Sequence, residues 1–161
     1  MKINRVRFFF VIALVFMISA CSNVESQSSG GRAASDFSLE TVGGDRVVLS
    51  DELKGKNAVL VFFATWCPSC VSEVPAVNDF HNRNKDSVSV MGVNIRESKA
   101  KVSNFIEKKN VKYPIVLDTD GAVAGDYRVR GIPAVFAIGK SGKILYSGHS
   151  IEEAEERAEF E

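Results

Sequence analysis

Hydrophobic residues fall along this chain in runs whose period changes repeatedly. Residues 8–20, FFFVIALVFMISA, form an uncharged apolar run behind the basic stretch MKINRVR. Polar, Gly/Ser-rich text follows over residues 22–35, SNVESQSSGGRAAS. From Asp36 the texture changes, and DFSLETVGGDRVVLS predicts two short strands around the Gly43-Gly44 turn. DELKGK predicts one helical turn ending at Gly55. The run AVLVFFA, Ala58 to Ala64, is continuous and β-rich, the pattern of a strand buried on both faces. Helical text runs from Pro68 to about Asn82, and Ser87 to Ile95 predicts a second strand. Over Ser98 to Asn110, Val102, Phe105 and Ile106 share one face, which predicts a helix. Tyr113 to Asp118 then reads as a short strand and Gly121 to Val129 as a short helix. Ala134 to Ile138 and Lys143 to Ser147 read as a hairpin across Gly139-Lys140-Ser141-Gly142. Ile151 to Glu161 predicts an acidic, solvent-facing helix. The order β-α-β-α-β-α-β-β-α implies an α/β protein: a central mixed β-sheet flanked by helices, with an N-terminal β-hairpin extension.

Length and charge narrow this picture. The 161 residues have room for one domain, and 45% apolar content is ordinary for a globular chain. Lys plus Arg and Asp plus Glu are both 20, which argues against a nucleic-acid partner. The apolar run at residues 8–20 is short for a membrane span, which needs roughly 20 residues, but suits a secretory signal. It ends in Ile18-Ser19-Ala20-Cys21, which resembles the bacterial lipobox; an ordinary signal peptide with an unmodified Cys21 is the alternative. The implied organisation is a signal peptide over 1–20, a lipidated Cys21 with a flexible tether over 21–35, and one domain over 36–161. Cleavage before Cys21 removes Lys2, Arg5 and Arg7 and takes the formal charge from 0 to about −3. The protein is then expected outside the cytoplasm, anchored to a membrane by lipid, where disulfides persist. Of the three cysteines, lipid on Cys21 leaves one pair, Cys67 and Cys70.

That pair lies in FFATWCPSCVSEVP, behind the apolar strand and at the start of a helix. Residues i and i+3 at a helix start lie one turn apart and can reach bonding distance. Cys67 would sit among free N–H groups at the helix start, where the dipole favours a thiolate. Cys70, one turn in, would be more buried and would resolve a mixed disulfide. Pro68 suits the first helical position, where a missing N–H costs nothing. A zinc half-site needs two further ligands, and only His81 and His149 remain. A structural staple across so small a loop removes little unfolded-state entropy. A peroxidatic cysteine in the peroxiredoxin pattern needs Pro seven and Thr three residues upstream, where this chain has Leu60 and Ala64.

Trp66-Cys67-Pro68-Ser69-Cys70 resembles the thioredoxin WCxxC site. The frame from Ala34 to Phe80 resembles the membrane-anchored TlpA/ResA/DsbE group of thiol–disulfide oxidoreductases, and the likeness extends to about Ser147. The resemblance implies a thioredoxin fold and an oxidoreductase whose only redox centre is the Cys67–Cys70 disulfide, with no metal and no other cofactor. It implies that Cys67 attacks and Cys70 resolves. It matches Pro133 to the family's cis-proline, an ordinary trans turn proline being the alternative, and lets Ile132 offer backbone hydrogen bonds to a substrate strand. Trp66 reads as a rim platform for the partner's chain or as plain packing. Pro75 matches the family's kinked active-site helix. Glu73 stands where ResA-like members carry an acid close to the pair. It reads as a buried acid of raised pKa that shuttles the proton of Cys70, or as an exposed helix glutamate. Thioredoxin's buried Asp, six residues before the first Cys, is replaced by Val61. The implied partners are disulfide-bearing proteins, apocytochrome c among them, and a membrane thiol-electron donor of the CcdA/DsbD kind. The opposite direction, an oxidase donating its disulfide, remains open, as does a binding lipoprotein without turnover. Arg128 and Arg130, just before Gly131-Ile132-Pro133, read as surface or as cations that favour the thiolate or steer an acidic partner. His81, His149, Lys99, Lys101, Lys108 and Lys109 read as surface residues.

Overall fold

The computed structural model describes residues 31–158 and 160. The signal segment and Cys21 lie outside the described residues. The chain begins with an antiparallel hairpin, β1 (Ser38–Glu40) and β2 (Arg46–Val48), which pairs Ser38 with Val48. A short helix α1 (Leu49–Glu52) leads into β3 (Asn57–Phe63), α2 (Pro68–Asn84), β4 (Val88–Ile95) and α3 (Lys99–Lys109). Then come β5 (Ile115–Asp118), α4 (Ala122–Asp126), β6 (Ala134–Ile138), β7 (Ile144–Gly148) and α5 (Ile151–Arg157). Five strands form one sheet in the order β5-β4-β3-β6-β7. The strand β3 runs parallel to β4 and antiparallel to β6, so the sheet is mixed, with helices on both faces. This is the mixed sheet that the element order implied, in the thioredoxin fold that the resemblance implied.

The central strand explains the architecture. All seven residues of β3 are buried. Successive side chains of a strand point to opposite faces. Val59, Val61 and Phe63 enter a core built with Val77 and Phe80 of α2, Val102 and Phe105 of α3, and Ile151 and Ala154 of α5. Ala58, Leu60 and Phe62 enter a second core with Phe37, Leu49, Val123 and Tyr127. Both faces are apolar, so the two-residue period is hidden inside a continuous apolar run. The helix α3 ends at Asn110, whose left-handed backbone (φ 53°) suits asparagine better than most residues.

Two details differ from the sequence expectation. The final helix is not simply solvent-facing. Glu152, Glu153, Glu155 and Glu156 are exposed, but Ile151 and Ala154, three apart, dock on the first core. Within the stretch read as tether, Ala33 forms an antiparallel bridge with Lys143, and Ile144 N–H donates to the Arg32 carbonyl at 2.9 Å.

Candidate active site

The end of β3 delivers the chain to the N-terminus of α2 through a tight turn, in which Cys67 N–H donates to the Ala64 carbonyl at 3.2 Å. Cys67 is the N-cap of α2, with extended backbone (φ −84°, ψ 111°). Its Sγ accepts the N–H of Cys70 at 3.1 Å, the bond a capping oxygen makes in most helices. Pro68 opens the helix and leaves no donor orphaned there. Cys67 and Cys70 are joined as a disulfide, with Cα atoms 5.3 Å apart. Both are buried. On reduction, a Cys67 thiolate would receive the same N–H and the positive end of the helix dipole, which lowers a thiol pKa.

The turn before β6 closes the site from the other side. The Ile132 carbonyl oxygen lies 3.7 Å from Cys67 Sγ, and the Ile132–Pro133 peptide is cis. The cis geometry assigned to Pro133 by resemblance is therefore present. His149 Nδ1 lies 2.8 Å from the Pro133 carbonyl oxygen; a carbonyl only accepts, so that nitrogen carries the proton. Although exposed as a whole, His149 thus supports the turn. Trp66 is 68% exposed, on the rim of a groove of about 430 Å³ that Ile132 also lines. Packing does not account for so exposed a ring. Trp66 and Ile132 therefore share one groove, and the buried Cys67 Sγ lies against the Ile132 carbonyl.

Glu73 lies one turn further along α2, partly buried. Its Oε2 accepts the N–H of Ile151 at 3.2 Å, at the first turn of α5. Burial raises its carboxyl pKa, Glu152 adds repulsion in the same direction, and the Ile151 N–H opposes both. The carboxylate is thus engaged by α5; burial raises the pKa of the Tyr113 phenol, and the Glu73 charge adds to it. His81, also on α2, is partly buried, which lowers its pKa, and Lys85 adds to the effect. Among the described residues no group of three or more His, Cys, Asp and Glu side chains is arranged to hold a metal ion.

Sequence reasoning missed Glu97. It is 8% exposed, and its carboxylate collects four donors. Thr65 N–H donates to Oε2 at 2.6 Å and the Thr65 hydroxyl to Oε1 at 2.8 Å. Asn94 Nδ2 donates to Oε2 at 2.9 Å, and Lys101 Nζ lies 2.6 Å from Oε1. Burial alone would raise the carboxyl pKa, but these partners outweigh it and lower it to about 2. Glu97 therefore pins the turn that carries Trp66 into Cys67. The readable signal was Lys101 four residues after Glu97 at a helix start, an ordinary surface pair by pattern. Nothing in the sequence placed Thr65 against it.

The Redoxin family pattern matches residues 29–161. The chain belongs to the Redoxin family. Within it, the chain is 41% identical to the thiol-disulfide oxidoreductase ResA of Bacillus subtilis over 118 residues, 73% of this chain and 65% of that relative. The matched stretch is thus just under two thirds of that relative's length. ResA of Bacillus cereus is 29% identical over 153 residues, 90% of this chain and 88% of the relative. The crystal structure of StoA from Bacillus subtilis superposes with a TM-score of 0.67 at 28% identity, covering 78% of this chain and 98% of that one. This Redoxin chain carries the Cys-x-x-Cys pair as a disulfide, on the fold those relatives share.

Proposed function

We propose that this protein is a thiol–disulfide oxidoreductase that reduces disulfides in proteins outside the cytoplasm. The observation that carries the reading is Cys67 as a sulfur N-cap, bonded to Cys70 and flanked by the Ile132 backbone. In the forward step the Cys67 thiolate attacks one sulfur of a client disulfide. That bond breaks, a Cys67–client disulfide forms, and the client's other sulfur leaves as a thiolate. Cys70, deprotonated, then attacks Cys67 Sγ and expels the client's second thiolate. Two electrons pass to the client, the released thiolates take up the protons, and the Cys67–Cys70 disulfide of this structure is the product state.

The surrounding residues have roles in this reading. Ile132, partly buried at the rim beside Sγ, offers backbone hydrogen bonds to an extended client segment. Pro133 fixes that segment's neighbour, and Trp66 is its platform. Glu73, whose pKa is raised by burial, takes the Cys70 proton. The signal and lipobox text supports a lipid anchor on Cys21, with the domain on the outer face of a membrane. No described helix is long and apolar enough to cross one. A membrane thiol carrier of the CcdA/DsbD kind re-reduces the pair, and apocytochrome c is the client that the resemblance suggests.

One observation favours the opposite direction. The Cys70 N–H and the helix dipole stabilise a Cys67 thiolate, and stabilising the reduced form makes a couple more oxidising. The reduction potential of the couple, measured on the full chain against dithiol and glutathione buffers, decides. A value near or below about −270 mV supports the reductase; a value near about −120 mV overturns it in favour of an oxidase.

A further inference from the structure

The described arginines divide into two groups. Those outside the grooves beside the disulfide are engaged: Arg83 with Glu155, Arg157 with Glu153, Arg46 with the Ser38 hydroxyl, and Arg32 with the Tyr127 carbonyl. The others, Arg96, Arg128 and Arg130, have no carboxylate within ion-pair distance among the described residues. All three gather on the grooves beside the disulfide. The groove rimmed by Trp66 and Ile132 is lined by Arg96 and Arg130 and by no acidic side chain. A second groove of about 210 Å³ continues past Gly131 and carries Arg128, Arg130 and His149, again without an acid.

Three carboxylates of the neighbouring segments are engaged elsewhere. Asp118 accepts the N–H groups of Val123 and Ala124, and Asp120 accepts that of Ala122. Glu97, next to Arg96 in sequence, is buried under Thr65. Arg96 itself is held in place. Its Nε donates to the Asp120 carbonyl at 3.0 Å, and its guanidinium lies over Gly121, where a Cβ would collide with it. Arg96 (φ 55°) and Arg128 (φ 57°) both adopt left-handed backbone, which L-residues with side chains rarely do. Cations without a carboxylate partner around an apolar platform form an electrostatically one-sided surface.

We propose that these grooves select client segments with acidic residues close to the disulfide, Arg96 and Arg130 receiving the carboxylates while the client backbone passes over Trp66. This rests on the oxidoreductase reading and adds a charge preference that the Ile132 backbone cannot supply. The test is binding to the full chain of a short extended peptide in which serines replace the cysteines and aspartates flank them, against its asparagine twin. Trp66 is the single tryptophan, so its fluorescence reports on the groove. The aspartate peptide is expected to bind about fivefold tighter at low ionic strength. The ratio should fall towards one in roughly 0.5 M salt, and in R96Q/R130Q. Equal binding of the two peptides to the wild type overturns the proposal, as does a preference that survives in R96Q/R130Q. The salt series on the wild type tests it even if that variant does not fold. These outcomes concern the groove alone. Failure of the reduced chain to exchange with any peptide disulfide would instead remove the oxidoreductase reading and leave the charge preference standing.

Discussion

Replacing Glu97 by Gln should destabilise the protein in a pH-dependent way. The carboxyl group has an ordinary pKa of 4.5 and sits near 2 in the fold. At about 1.4 kcal/mol for each tenfold, that depression amounts to about 3 kcal/mol favouring the folded state. The group is 8% exposed, so solvent screening removes little of it. The folded pKa lies below the unfolded one. The contribution is therefore complete above about pH 5 and is lost as pH falls from there towards 2. A glutamine can still accept from Thr65 and Asn94, but it cannot carry the charge that pairs with Lys101. Urea denaturation of wild type and Glu97→Gln, repeated from pH 7 to pH 2.5, isolates the group, because every other carboxylate is common to both. The expected difference is about 2–3 kcal/mol at pH 7, shrinking below about 1 kcal/mol at pH 2.5. A difference that stays constant with pH, or one below about 0.5 kcal/mol at pH 7, would refute the claim that an ionised Glu97 holds the active-site turn.

Further outcomes follow from other parts of the molecule. Cys67→Ser should abolish disulfide reduction, whereas Cys70→Ser should accumulate a mixed disulfide with its client, visible on a non-reducing gel; turnover by Cys67→Ser would sink the mechanism. Glu73→Gln keeps an acceptor for the Ile151 N–H and removes a charge disfavoured by burial. An acid whose folded pKa is raised costs stability as pH climbs through that pKa, so this variant should gain on wild type between pH 4 and pH 7 in denaturant titrations; a gain towards low pH contradicts the assignment. Phe62→Ala removes a fully buried ring packed against Tyr127 and Phe136 and should cost about 3–5 kcal/mol by urea denaturation. Gly121→Ala forces a Cβ into left-handed backbone (φ 77°) and against the Arg96 guanidinium; it should cost roughly 1–2 kcal/mol and shift the Trp66 emission that reports on the groove.

Most of the fold was legible along the chain, because its signals are local. The apolar run from Ala58 to Ala64, most of it in β3, can be satisfied only between two covered faces, and a Cys-Pro pair ahead of helical text marks a helix start. The chemistry of Cys67 and Cys70 was legible for the same reason: residues three apart at that start are neighbours whatever the rest of the chain does. The α5 helix was misjudged as solvent-facing because its acids dominate the composition, while Ile151 and Ala154, spaced three apart, do the docking.

What tertiary structure alone decided lies between segments distant in sequence. Thr65 meets Glu97, Ile132 meets Cys67, Glu73 meets Ile151, and Arg96 comes to share a groove with Arg130. In the sequence Glu97 looks like half of a surface ion pair, and Arg130 like one more exposed cation. A charge takes its meaning from the dielectric and the partners around it, and those are set by how β3, β4 and β6 lie side by side. Local periodicity specifies which elements form and where the reactive pair sits; the pairing of strands far apart in the chain decides which charges are buried and bonded and which remain open beside the disulfide.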